Sequence, residues 1–66
     1  MNADIFKGKW KQLRGRAKQA WGDLTDDDLA KVDGSYDRMV GVLQEKYGYG
    51  KEEAQEKIDA EFGKDA

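Results

Sequence analysis

The residues best suited to chemistry in this 66-residue chain are cations interleaved with aromatic rings. Lys7, Lys11, Arg14 and Lys18 recur at steps of three and four, and Trp10 and Trp21 stand among them. Cations at that spacing on a helix can meet phosphate oxygens, and indole rings in a basic groove can stack nucleic-acid bases. Packing competes for both Trp residues. They share an apolar stripe with Leu13 and Ala17, and a short chain needs its aromatics inside.

Two further clusters carry a chemical reading and a plainer one. Gly48-Tyr49-Gly50-Lys51, followed by Glu52, Glu53 and Ala54, loosely resembles the glycine turn with which helix-hairpin-helix modules hold a DNA phosphate on backbone N–H groups. Lys51 would join the anion surface on that reading. The flanking glutamates favour an ordinary turn between helices. Asp23, Asp26, Asp27 and Asp28 invite a calcium site, but an EF-hand loop needs alternating acids, a central Gly and a closing Glu. Capping of a helix N-terminus accounts for them better.

The chain has no His and no Cys, which removes the commonest metal ligand and general base, any thiolate nucleophile and any disulfide. Paired carboxylates working as acid and base need a concave, partly dry pocket, for which so small a domain has little room. The expectation is therefore no enzyme, no catalytic residue, no metal, no cofactor and no small-molecule substrate.

A chain of this length makes one domain, residues 1–66, and buries only about 60% of its unfolded surface. Apolar residues are 38% and charged residues 39% of the chain, so the core is thin. No run approaches the ~18 apolar residues of a membrane span, and the opening lacks the apolar stretch of a secretory signal. A cytoplasmic location is expected. The net charge of -2 is unevenly spread. Residues 1–22 hold six bases against Asp4, a balance of +5, and residues 23–66 hold 13 acids against six bases, a balance of -7.

Helical periodicity organises these residues. Phe6, Trp10, Leu13, Ala17, Ala20 and Trp21 form the apolar stripe of one basic amphipathic helix that ends at Gly22. Gly8 and Gly15 lie within it, which suggests a close approach of another backbone or a loose first turn. Thr25 is an N-cap for a short helix from Asp26 to about Asp33, which offers Leu29 and Val32. Gly34 and Ser35 read as a stop and a fresh cap. A third helix carries Tyr36, Met39, Val40, Leu43 and Tyr47, and a fourth runs from about Lys51 to Phe62 with Ala54, Ile58 and Phe62 in register. Tyr49, between two glycines, is expected at the surface, and Lys64, Asp65 and Ala66 are expected to fray. The expected core is Trp10, Leu13, Ala17, Trp21, Leu29, Val32, Tyr36, Met39, Leu43, Tyr47, Ile58 and Phe62.

A shift of 26 residues lays Gly8, Trp10, Leu13, Gly15, Ala17, Trp21 and Gly22 onto Gly34, Tyr36, Met39, Gly41, Leu43, Tyr47 and Gly48. Each unit of this internal pseudo-repeat is a helical hairpin that cannot bury its own stripe. The predicted fold class is all-α: four short helices as two packed hairpins.

Three blocks carry a resemblance to a known family: Gly8-Lys9-Trp10-Lys11-Gln12-Leu13-Arg14-Gly15, Trp21-Gly22-Asp23-Leu24-Thr25-Asp26-Asp27-Asp28, and Gln44-Glu45-Lys46-Tyr47-Gly48-Tyr49. In order and spacing they resemble the CsbD-like family of small bacterial general-stress proteins, across nearly the whole chain. Ile5-Phe6 is more apolar than the family's usual opening. The resemblance implies a cytosolic, non-enzymatic stress-response protein with a SAM-domain-like orthogonal bundle and no catalytic site. Two other functions stay open beside it: a nucleic-acid-binding module built on the basic first helix, and a domain that self-associates, basic helix of one copy against acidic helix of another.

Overall fold

Five helices, not four, build the fold in a computed structural model that describes residues 2–63. They are α1 (Ala3–Gly8), α2 (Trp10–Ala20), α3 (Asp26–Val32), α4 (Tyr36–Tyr47) and α5 (Lys51–Phe62). The extra element comes from a break at Lys9, where φ is -102° and ψ is 7°. One straight helix over residues 3–20 would be about 27 Å long. The molecule measures 25 × 24 × 18 Å, and with the break α1 packs on α4. Asn2 caps α1, its side-chain oxygen accepting from the N–H groups of Asp4 at 2.7 Å and Ile5 at 3.3 Å.

The later elements start and stop on local chemistry. Thr25 Oγ1 accepts from the Asp28 N–H at 3.1 Å and Asp28 Oδ2 accepts from the Thr25 N–H at 3.0 Å, a reciprocal capping box. At the other end of α3, Asp33 and Gly34 both take positive φ, 44° and 81°. Ser35 Oγ accepts from the Arg38 N–H and starts α4, and Gly48, at φ 70°, ends it.

Gly34, rather than Gly8 or Gly15, is the glycine that another helix reaches, at ordinary van der Waals distance. A Cβ on Gly34 would sit 3.4 Å from Lys7 Cγ and 3.5 Å from both Lys7 Cα and Trp10 Cβ, whereas one on Gly8 or Gly15 would meet nothing within 4 Å. Gly41, inside α4, is likewise open. Gly41→Ala is therefore expected to raise stability by about 0.5–1 kcal/mol through helix propensity alone. Gly34→Ala is expected to lower it by at least about 1–2 kcal/mol, the cost of a side chain in the left-handed region. Paired thermal melts check the opposite signs.

Helix α4 is the centre of the bundle and packs against α5, α3 and α1, while α2 is held mainly through α1 and by its side chains. The buried core comprises Phe6, Leu13, Ala17, Trp21, Leu24, Leu29, Val32, Met39, Val40, Leu43, Ala54, Ile58 and Phe62. Leu24 belongs to it although it lies in the loop between α2 and α3. Ala20, on the apolar stripe, is exposed because α2 ends there. Trp10, Tyr36 and Tyr47 are half-buried against the core rather than within it. The two phenols keep their hydroxyls at the rim: Tyr36 donates to Asp59 Oδ1 at 3.3 Å, and Tyr47 Oη accepts from the Asp23 N–H at 3.2 Å. Tyr49 is half-buried as well. It folds back through Gly48 to stack on Tyr47, ring centroids 5.4 Å apart, with Lys57 Nζ 5.8 Å from its own ring centre. Lys64, Asp65 and Ala66, expected to fray, lie outside the described residues.

A candidate anion-binding face

From Trp10 to Ala20 the α2 sequence holds Lys11, Arg14, Arg16 and Lys18 and no acid. Lys11, Arg14 and Lys18, at i, i+3 and i+7, form an exposed row about 10 Å long on one side of the helix. Arg16 leaves the row. Its Nη2 donates to the Glu61 carbonyl at 2.9 Å and its guanidinium carbon lies 5.7 Å from the centre of the Phe62 ring.

The other two cations expected on this face stand elsewhere. Lys7 is on α1, its stem against Gly34, and it borders a shallow depression with Asp4, Asp33 and Asp37. Acids surround it there. Lys51 opens α5 directly before Glu52 and Glu53, about 15 Å along that helix from the Glu61 carbonyl that Arg16 grips. A second shallow depression, next to the row, is bordered by Gly8, Lys9, Lys11 and Gln12.

An acid already sits on the row. Lys18 Nζ lies 2.7 Å from Asp26 Oδ1, at the first turn of α3, with the two side chains 54% and 83% exposed. The hydrogen bond from Lys18 and then its charge hold the Asp26 carboxyl below its ordinary value of 3.8, and the charge of Arg14 adds to this. Arg14, Gly15, Lys18, Asp26, Leu29 and Ala30 together border the depression between α2 and α3. Nothing in the local sequence marks this pairing, because the loop from Trp21 to Thr25 alone decides which Asp comes back to α2.

Several other polar groups serve the fold. Asp28 is buried at the capping box, where the Thr25 N–H, and less strongly Lys46 at 3.3 Å, lower its pKa from 3.8. Burial, and then the charge of Asp59, push the Tyr36 phenol up to about 12. Trp21 is buried edge-on against Phe62, with centroids 5.8 Å apart, and Trp10 leans on Phe6 at 5.4 Å. Trp21 is therefore no free stacking platform, and Trp10 is half-buried. Among the described residues no group of His, Cys, Asp and Glu is arranged to hold a metal ion, and no helix is long and apolar enough to cross a membrane.

The two lowered carboxylates give a signed acid response. A folded pKa below the unfolded value contributes stability that is present above 3.8 and is lost as pH falls through the folded value. Melting temperature is expected to fall steadily from about pH 5 to about pH 2. Asp28→Asn should lower the melting temperature at neutral pH and flatten this acid limb, and an acid limb as steep as the parent's would show that Asp28 does not carry it. Thr25→Ala, which removes the other half of the box, should cost about 1 kcal/mol at neutral pH.

A bundle whose acids and aromatics knit short helices together, with a cationic row at the surface of α2, defines a small all-helical protein. The chain belongs to the CsbD-like family, whose model matches residues 4–56. It is 57% identical over 58 residues to a UPF0337 protein of Pseudomonas aeruginosa, covering 88% of this chain and 89% of that one. A UPF0337 protein of Bordetella pertussis is 55% identical over 58 residues, 88% of each chain. The UPF0337 protein YjbJ of Escherichia coli K12 is 47% identical over 58 residues, 88% of this chain and 84% of that one. No solved structure gives a significant match.

Proposed function

We propose that this protein is a non-enzymatic stress-response protein of the cytoplasm that works as one folded domain, through the contacts of its surface. Its membership of the CsbD-like family supports this reading. The observation that carries it is the employment of its reactive groups. Asp28 closes the capping box, Asp59 accepts from Tyr36, Tyr47 anchors the Asp23 loop, and Arg16 joins α2 to the end of α5. Groups committed in this way lend rigidity to a thin core and leave a polar shell for weak contacts with other macromolecules. A two-hairpin, SAM-domain-like origin by duplication fits the matching burial of Leu13 with Met39, Ala17 with Leu43 and Val32 with Ile58.

The test is protection. A labile enzyme dried and rehydrated with increasing amounts of the protein is expected to keep more activity than with an equal mass of an unrelated small helical protein. Equal protection by that control, or by an unfolded variant of this chain, would overturn a role for the folded surface.

A further inference from the structure

We propose that the row formed by Lys11, Arg14 and Lys18 is a docking surface for the phosphate backbone of a nucleic acid, and that Asp26 occupies it as an internal stand-in while no polyanion is bound. This names a partner for the surface on which the proposed function rests. The first support is the seated carboxylate: an anion already lies 2.7 Å from Lys18 and within the field of Arg14, so the row receives negative charge in its present geometry. The second is spacing. A row about 10 Å long can meet about two neighbouring phosphates of one strand, whose separation through space is well above their axial rise of about 3.4 Å. The third is the floor between the cations, where Gly15 has no side chain and nothing within 4 Å of where one would begin, so a phosphate can approach the helix backbone there.

A second copy of the chain is the other occupant that charge would allow, through Glu52, Glu53 and Glu56 on the outer side of α5. Magnitude decides against it. Pairs between exposed side chains contribute little each and do not offset the freedom lost when two proteins associate, and Lys51 and Lys57 dilute the acidic side. A polyphosphate releases condensed counterions at every contact, which brings non-specific binding into the range of about 10⁻⁴–10⁻⁶ M.

The experiment is a fluorescence-anisotropy titration of a labelled, mixed-sequence DNA duplex of about 20 base pairs, with the full chain, from about 50 to 200 mM salt. The wild type is expected to bind at the weak end of that range with a log–log salt slope of about -2, for about two phosphates engaged. Lys11→Gln with Arg14→Gln should weaken binding at least about 10-fold and flatten the slope, with the helical circular dichroism unchanged. Asp26→Asn, which releases Lys18, should tighten binding several-fold and steepen the slope by about one. Lys51→Gln should leave binding unchanged. The proposal is overturned by a flat salt slope, by Asp26→Asn binding no better than the parent, or by Lys51→Gln acting as strongly as the α2 pair. It is overturned equally if sedimentation of the protein alone shows a growing mass that Glu52→Gln with Glu53→Gln abolishes, since the row would then dock a second copy. Binding lost while protection in the drying assay persists removes this partner and leaves the stress role standing; protection lost while binding persists does the reverse.

Discussion

Phe62→Ala is expected to leave folded and unfolded chains in comparable amounts at room temperature. The Phe62 ring is fully buried at the end of α5, 6.3 Å from the ring of Phe6 and 5.8 Å from that of Trp21, with the Arg16 guanidinium over its face. It thus joins α1, the end of α2 and α5 at one point, and its loss opens a cavity that no single neighbour can fill. Removing a buried Phe costs about 3–5 kcal/mol. A domain of this size holds only about 3–5 kcal/mol of net stability, so the two quantities nearly cancel. Far-ultraviolet circular dichroism in increasing urea measures the outcome. A midpoint close to the parent's would remove Phe62 from the core. Phe62→Leu, which keeps most of the volume, is expected to cost less than about 1.5 kcal/mol and to fold.

The parts of this fold that are legible in the sequence are those fixed by short-range chemistry. Thr25 and Ser35 cap α3 and α4 by hydrogen bonds to N–H groups three residues on, and the apolar steps of α4 and α5 fall where their buried residues lie. The break at Lys9 is legible only as the loose first turn that Gly8 suggests. Phe6, Trp10, Leu13, Ala17 and Trp21 have the spacing of an uninterrupted helix, and their period does not show where the chain turns. The same limit hides Leu24, which is buried because the loop crosses the core and not because of any period. The glycines show the limit most clearly. Gly8 and Gly34 correspond under the 26-residue shift, yet Gly8 is open, while Gly34 takes a φ of 81° and lies in ordinary contact distance of Lys7 and Trp10. Composition reports that a residue is small; tertiary structure decides whether its backbone needs to be a glycine's.

The cationic row divides in the same way. Lys11, Arg14 and Lys18 share a helix, so their alignment follows from its geometry alone. Helical spacing groups Lys7 with them and the glycine turn before α5 adds Lys51, but the break at Lys9 and the start of α5 put those two among acids instead. Asp26, the residue that most changes the electrostatics of the row, reads in sequence only as one of three capping acids. Its contact with Lys18 depends on how the loop after Trp21 returns, and so it is visible only in three dimensions.

Phe6→Ala tests whether α1 and α2 belong to the same cooperative unit as the rest. A helix of six residues does not stand alone in water, so α1 exists because Phe6 holds it down. The ring is fully buried, with Trp10 at 5.4 Å, Tyr36 edge-on at 5.6 Å and Phe62 at 6.3 Å. Two outcomes are distinguishable. If α1 and α2 were an appendage, losing Phe6 would melt them and leave α3, α4 and α5 folded, and Trp fluorescence from Trp10 and Trp21 would change well before the circular dichroism. Because Phe6 touches Tyr36 on α4 and Phe62 on α5 as well as Trp10, the cost of about 3–5 kcal/mol is expected to fall on the whole bundle. The two signals should then move together to a far lower urea midpoint, as they do for a single cooperative transition. Separate transitions would show that the basic arm folds on a body that does not need it. Phe6→Leu should bring the coincident transition most of the way back, since a branched aliphatic side chain still fills the space beneath Trp10 and Tyr36.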